Sequence, residues 1–102
     1  IAAGAAYRQT GGTVGDNATD GSGGGILSAG SLTLSGGDVS RNTAAVNGGG
    51  VANLGAFTLS GGSVDNNSAV SGGGVWNATT ATYTHTGGTF TGNSPDNEAT
   101  ER

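Results

Sequence analysis

The side chains able to do acid–base chemistry are few and scattered. His85 is the single histidine, the carboxylates are Asp16, Asp20, Asp38, Asp65, Asp96, Glu98 and Glu101, and the cations are Arg8, Arg41 and Arg102. An imidazole suits a general base near neutral pH, but no serine and aspartate surround His85 in the pattern that a nucleophile, its base and an orienting group need. The stretch "GGTVGD" at 11–16 partly matches a calcium-binding turn, which requires a regularly recurring aspartate, and the aspartate does not recur in the later copies. There is no cysteine, so thiolate metal sites and disulfides are excluded and the redox compartment stays open. This inventory leads us to expect no enzyme, no catalytic residue, no metal and no cofactor.

The elements that position these side chains come from a repeat. A double glycine recurs at Gly11-Gly12, Gly36-Gly37, Gly61-Gly62 and Gly87-Gly88, each followed by Val14, Val39, Val64 or Phe90 and then by Asn17, Asn42, Asn67 or Asn93. A triple glycine closes on Ile26, Val51 and Val75. Composition with 23 glycines and many Val, Thr and Ser residues opposes helices and favours short strands. Within "LTLSGG" (32–37) the alternation has period two, with Leu32 and Leu34 on one face and Thr33 and Ser35 on the other. A repeat too small to bury its own apolar face must stack on its neighbour. We therefore expect an all-β fold, a right-handed parallel β-helix (β-solenoid) of about four coils with roughly 25 residues per coil. At one coil per strand spacing the stack stands about 19 Å tall. Residues 1–93 form the four-coil solenoid on this reading, and 94–102 a polar C-terminal tail or linking segment.

Stacking turns sequence columns into ladders. The expected inward columns are Ile1/Ile26/Val51/Val75, Tyr7/Leu32/Phe57/Tyr83 and Val14/Val39/Val64/Phe90. Asn17, Asn42, Asn67 and Asn93 form a structural ladder at a corner, where stacked amides bond to one another and to the turn backbone. One inward column, Gln9/Leu34/Leu59/His85, is polar in both outer copies. Together with Ile1, Tyr7, Tyr83 and Phe90, the pair Gln9 and His85 mark the end coils or a junction between subunits. The outward column Ala2/Leu27/Ala52/Trp76 makes an apolar stripe, and a contiguous stripe marks a contact; Leu27, Ala52 and Trp76 are the candidate lateral contact. Asp16 and Arg41 share a column and form an exposed ion pair. Thr33, Thr58 and Thr84 beside Thr10, Ser35, Ser60 and Thr86 form an outward hydroxyl ladder, the kind of array that ice-binding solenoids use. Sequons begin at Asn17, Asn66 and Asn77.

The glycine–glycine–aliphatic signal followed by an aromatic or aliphatic residue, two residues and Asn resembles the repeat of the chlamydial polymorphic membrane protein family, whose motifs read GGA[ILV] and FxxN. Phe90-Thr91-Gly92-Asn93 matches the second motif, Val14, Val39 and Val64 match it with Val for Phe, and the triple glycines before Ile26, Val51 and Val75 match the first with Gly for Ala. The resemblance spans almost the whole chain and implies a right-handed β-helix exported to the cell surface as an adhesin.

Net charge is −4 with only three cationic side chains, which argues against nucleic acid and anionic membrane surfaces as partners. No apolar run reaches the roughly 18 to 20 residues of a membrane span. Because the first residue is Ile1, we expect a processed product or fragment. Open solenoid ends invite pairing, and a head-to-tail contact that does not close gives a filament. The expected function is a non-catalytic extracellular or cell-surface structural protein, a β-solenoid subunit or repeat segment stacking head-to-tail with itself into a filament or surface fibre. The alternative is an adhesin passenger fragment binding a host surface or glycans through Trp76 or the loop 76–82, with ice binding through the Thr/Ser ladder as a lesser one.

Overall fold

The computed structural model describes residues 4–100, and in them the chain forms short strands and no helix. Three parallel four-stranded sheets make up the wall of a β-solenoid of about four turns. The first sheet stacks β1 (Ala6–Gln9), β5 (Ser31–Leu34), β9 (Ala56–Leu59) and β12 (Thr82–His85). The second stacks β2 (Thr13–Gly15), β6 (Asp38–Ser40), β10 (Ser63–Asp65) and β13 (Thr89–Thr91). The third stacks β4 (Ile26–Ser28), β8 (Val51–Asn53), β11 (Val75–Asn77) and β14 (Glu98–Thr100). A two-residue pair, β3 (Ala18–Thr19) with β7 (Thr43–Ala44), sits between the second and third sheets.

The register is the one the repeat dictates. Tyr7 pairs with Leu32, Leu32 with Phe57 and Phe57 with Tyr83; Val14, Val39, Val64 and Phe90 follow one another in the second sheet. A slip by one residue would turn every inward side chain outward, so the alternation fixes the pairing. The glycine arcs join the ladder as well: Gly23 N–H donates to the Asn47 carbonyl at 2.9 Å and Gly48 N–H to that of Ser71 at 3.0 Å. The arcs are thus tied coil to coil like the strands, which satisfies backbone groups that would otherwise be buried without partners.

Two glycine positions show why the residue is needed. A Cβ on Gly49 would lie 2.5 Å from the Gly73 carbonyl oxygen, and it would also strike the Ser68 backbone of the next coil. Gly62 turns the chain at φ 75°, in the left-handed region that other residues enter only at a steric cost.

One apolar cluster fills the interior: Leu32, Leu34, Val39, Val51, Phe57, Leu59, Val64 and Val75. Val14, Ile26, Tyr83 and Phe90 pack against it but stay partly open, because they belong to outer layers. The molecule measures 26 × 25 × 20 Å, so the coil is about as wide as the stack is tall. Coil length varies at two places, one residue shorter in the arc before Ser71 and two longer between Asn77 and Thr82. Asn53 and Asn77 are 24 residues apart, whereas Asn67 and Asn93 are 26 apart. The extra residues lie at 78–81, where Ala81 N–H closes a turn on the Ala78 carbonyl at 3.0 Å.

The segment after residue 93 differs from the expected tail. Ser94 bridges to Ser68, Gly72 N–H donates to Asp96 Oδ1 at 2.9 Å, and Glu98–Thr100 pairs in parallel with Val75–Asn77. Polar composition suggested a tail, but strand pairing is made by backbone groups, which the polarity of a side chain does not remove. Residues 94–100 therefore begin a further turn, and Glu98 continues the inward column of Ile26, Val51 and Val75.

Candidate functional site

The corner amides are the most completely bonded side chains. Asn42 N–H and Nδ2 both donate to Asn67 Oδ1, at 2.9 and 3.0 Å, and Asn67 in turn donates to Asn93 Oδ1 from N and Nδ2 at 3.0 Å each. Asn17 stands at the exposed end of the ladder and donates to Asn42 Oδ1 at 3.1 Å. The Nδ2 groups of Asn42, Asn67 and Asn93 also reach a strand carbonyl, as in Asn67 to Val39 at 2.9 Å. Just before each of these asparagines the chain turns through a left-handed residue, with φ 58° at Asp16, 56° at Arg41, 56° at Asn66 and 67° at Gly92. A second, shorter amide pair escaped the sequence reading: Asn53 Nδ2 donates to Asn77 Oδ1 and to the Thr82 carbonyl, both at 2.9 Å. Its signal was the recurrence of Asn two residues after Val51 and Val75, weakened by Ser28 in the preceding coil. These amides hold corners of the coil.

The last layer is the most unusual surface. Tyr83, His85 and Phe90 close the inward columns over Phe57, Leu59 and Val64. Their rings form a row, with centroids 5.5 Å apart for Phe57–Tyr83, 6.1 Å for Tyr83–His85 and 5.1 Å for His85–Phe90, the last pair edge to face. β14 brings Glu98 onto this row, with Oε2 3.4 Å from His85 Nδ1. Burial, and then the neighbouring Glu98 carboxylate, push the Tyr83 phenol well above the ordinary tyrosine range. Its Oη is closed off from solvent beside the Glu98 carboxylate. An imidazole–carboxylate pair can hold a proton, but the phenol beside it stays protonated at neutral pH and offers no nucleophile. A recess of about 520 Å³ opens here, lined among others by Asn77, Tyr83, Asp96, Glu98 and Thr100.

At the opposite end Tyr7 is exposed and Gln9 is buried. Gln9 Nε2 donates to the carbonyls of Gly12 and Asp38 at 3.3 and 3.2 Å, while Oε1 finds no partner. Ile1, the remaining residue assigned to the ends, lies outside the described residues, as does Ala2 of the outward column. Gln9 and His85 fall in one column on opposite end layers, with Leu34 and Leu59 between them.

The side of the stack corrects one expectation. Leu27, Ala52 and Trp76 pair in sequence down the third sheet, but Ala52 is fully buried. Its methyl is small and sits between the larger Leu27 and Trp76 side chains, and the arc at Gly48 turns against its backbone: a Cβ on Gly48 would lie 2.8 Å from Ala52 Cα. Ala52 is therefore no contact residue, and the stripe is broken at its centre. Elsewhere the outward faces are polar. Arg8, Thr33, Thr58 and Thr84 align across the first sheet, where Ser35 and Ser60 hydroxyls bend to the Gln9 and Leu34 carbonyls instead of standing free. Arg41 meets Asp16 through two bonds, Nε to Oδ1 at 2.9 Å and Nη2 to Oδ2 at 3.2 Å, with both groups exposed. The guanidinium holds the Asp16 carboxyl below the usual aspartate range, and the carboxylate raises Arg41.

Among the described residues no three His, Cys, Asp or Glu side chains converge as a metal site requires, and no helix is long and apolar enough to cross a membrane. No protein-family model, curated protein or solved structure matches the chain.

Proposed function

We propose that the chain is a non-catalytic structural protein of the cell exterior, a β-solenoid subunit or repeat segment that stacks end to end into a filament or surface fibre. The observation that carries this reading is the last layer. β12 and β13 are edge strands among the described residues, and their inward Tyr83 and Phe90 are only half-buried and His85 exposed, in the same columns that are sealed one coil below. Parallel edges of this kind pair with a further strand, and the exposed rings gain apolar burial when another coil covers them. The chemistry is that of a stiff rod: backbone ladders, stacked amides and a narrow apolar interior. Size-exclusion chromatography with negative-stain imaging tests it. We expect particles whose length grows with concentration, and His85→Lys, which sets an ammonium in the end layer, shortens them. A discrete monomer at high concentration sinks the reading.

A binding role has one observation in its favour: the longer corner at 78–81 stands beside the half-buried Trp76. As an adhesin passenger fragment, the chain would use this corner on a host surface or glycan. Binding that survives Trp76→Ala counts against that role.

A further inference from the structure

β14 is joined to the molecule unlike the earlier strands of its sheet. Those strands set Ile26, Val51 and Val75 at the inward position, and β14 sets Glu98 there. Val51 and Val75 are sealed, whereas none of Glu98, Ala99 and Thr100 is buried. The chain is well tied as far as Asn97. Ser94 N–H donates to the Asn67 carbonyl at 2.9 Å, Gly72 N–H to Asp96 Oδ1 at 2.9 Å, Val75 N–H to the Asn97 carbonyl at 2.8 Å, and Asn93 Nδ2 to Asn97 Oδ1 at 3.1 Å. Beyond Asn97, backbone pairing with Val75–Asn77 is supplemented by Glu98. Its Oε2 lies 3.4 Å from His85 Nδ1, and its carboxylate adjoins the Tyr83 phenol.

The contact with His85 depends on one proton. A carboxylate attracts an imidazolium and meets no charge on a neutral imidazole. Histidine is the side chain that gains its charge between about pH 8 and about pH 5, and His85 is the single histidine in a chain without cysteine. The other described groups around the pair do not supply that charge. Tyr83, on β12 like His85, keeps its proton because burial and Glu98 push its phenol upward. β13 contributes Phe90, β9 Leu59 and β11 Val75, all uncharged, and Asp96 on the preceding arc is engaged by the Gly72 N–H. We infer that β14 is a pH-sensitive strap: a protonated His85 fastens it over the last layer through Glu98, and a neutral His85 loosens it. The sign follows from linkage, since a histidine that gains a carboxylate partner stabilises the closed form while charged and ceases to as pH rises. Loosening uncovers the β11 edge and the Tyr83 ring, and the recess of about 520 Å³ beside Tyr83, Glu98 and Thr100 gives the strand room to move. The device belongs to a single chain and does not depend on end-to-end stacking.

Hydrogen exchange of the full chain tests this, at a concentration too low for association and at about pH 5.5 and about pH 8, towards the two ends of the histidine range. After correction for the intrinsic pH dependence of exchange, protection of the β14 amides is expected to be about two- to fivefold higher at the lower pH, the range of a partly exposed ion pair. His85→Gln and Glu98→Gln each remove the difference. Glutamine already stands in the His85 column as Gln9 of the first layer, and unchanged protection of β5 and β9 shows that either variant is folded. Equal β14 protection at both pH values in the wild-type chain overturns the strap, as does a pH response that survives either substitution. A change shared equally by β5, β9 and β14 also overturns it, because the pH effect then acts on the whole fold.

Discussion

Asn67 shows how much one side chain holds at a corner. It is buried, and its amide serves Asn42, Val39 and Asn93 at once. Asn67→Ala strands those groups without water to replace the lost bonds, and we expect a loss of about 3 kcal/mol by urea denaturation. Asn17→Ala, at the exposed end of the same ladder, costs less than about 1 kcal/mol because solvent takes over. Exposure likewise limits the Asp16–Arg41 pair. Since the folded Asp16 value is depressed by Arg41, its contribution is complete above the ordinary aspartate value and disappears as pH falls through the depressed one. An NMR titration should show Asp16 moving back up in Arg41→Gln, and added salt should do part of the same.

At the scale of the element, the coils are held apart only by backbone. Gly49 has no room for a methyl group, because the atoms it would strike are the Gly73 and Ser68 main chains. Gly49→Ala must separate two coils, and we expect a destabilisation of more than about 3 kcal/mol. Gly11 is in open space with no left-handed turn; Gly11→Ala is neutral or slightly stabilising, by under about 1 kcal/mol, through the unfolded chain. Thermal melts of the two variants check the contrast. β14 shows the complementary case. Its polar residues carry no apolar signal, yet its backbone pairs with Val75–Asn77 as the earlier coils pair with one another. What marks it is Glu98, which sets a carboxylate where each earlier coil has an aliphatic side chain and meets it with His85.

For the whole molecule, stability follows the stack. Coils two and three hold most of the sealed interior, and the outer layers hold the partly open Val14, Ile26, Tyr83 and Phe90. A solenoid is a one-dimensional array in which each coil is stabilised by its neighbours, so the ends open first. Hydrogen exchange should find the slowest amides in β5, β6, β9 and β10 and faster ones in β1 and β12. If the last layer accepts the first coil of another copy, protection of β12 and β13, and of β1 and β2 at the opposite end, rises with protein concentration. Uniform exchange from end to end would contradict this picture.

Much of the molecule was legible before folding because its information is periodic. "LTLSGG" at 32–37 and "FTLSGG" at 57–62 put Leu32 and Leu34 under Phe57 and Leu59 whatever else the chain does. The same spacing placed the asparagine ladder, the Asp16–Arg41 pair and the polar outer members Gln9 and His85. Periodicity sets which residues share a column and which face of a strand they take. It does not set what covers them. Ala52 takes the outward face as expected and is nevertheless buried, because Leu27, Trp76 and the arc at Gly48 close over it. Residues 94–102 read as a polar tail or linking segment, yet Glu98–Thr100 is a strand, since backbone pairing needs only a neighbour in register. The meeting of Glu98 with His85, the burial of the Tyr83 hydroxyl and the exposure of Val70 belong to the tertiary structure alone. Each depends on atoms supplied by a different coil or arc, and those distances are written nowhere along a single repeat.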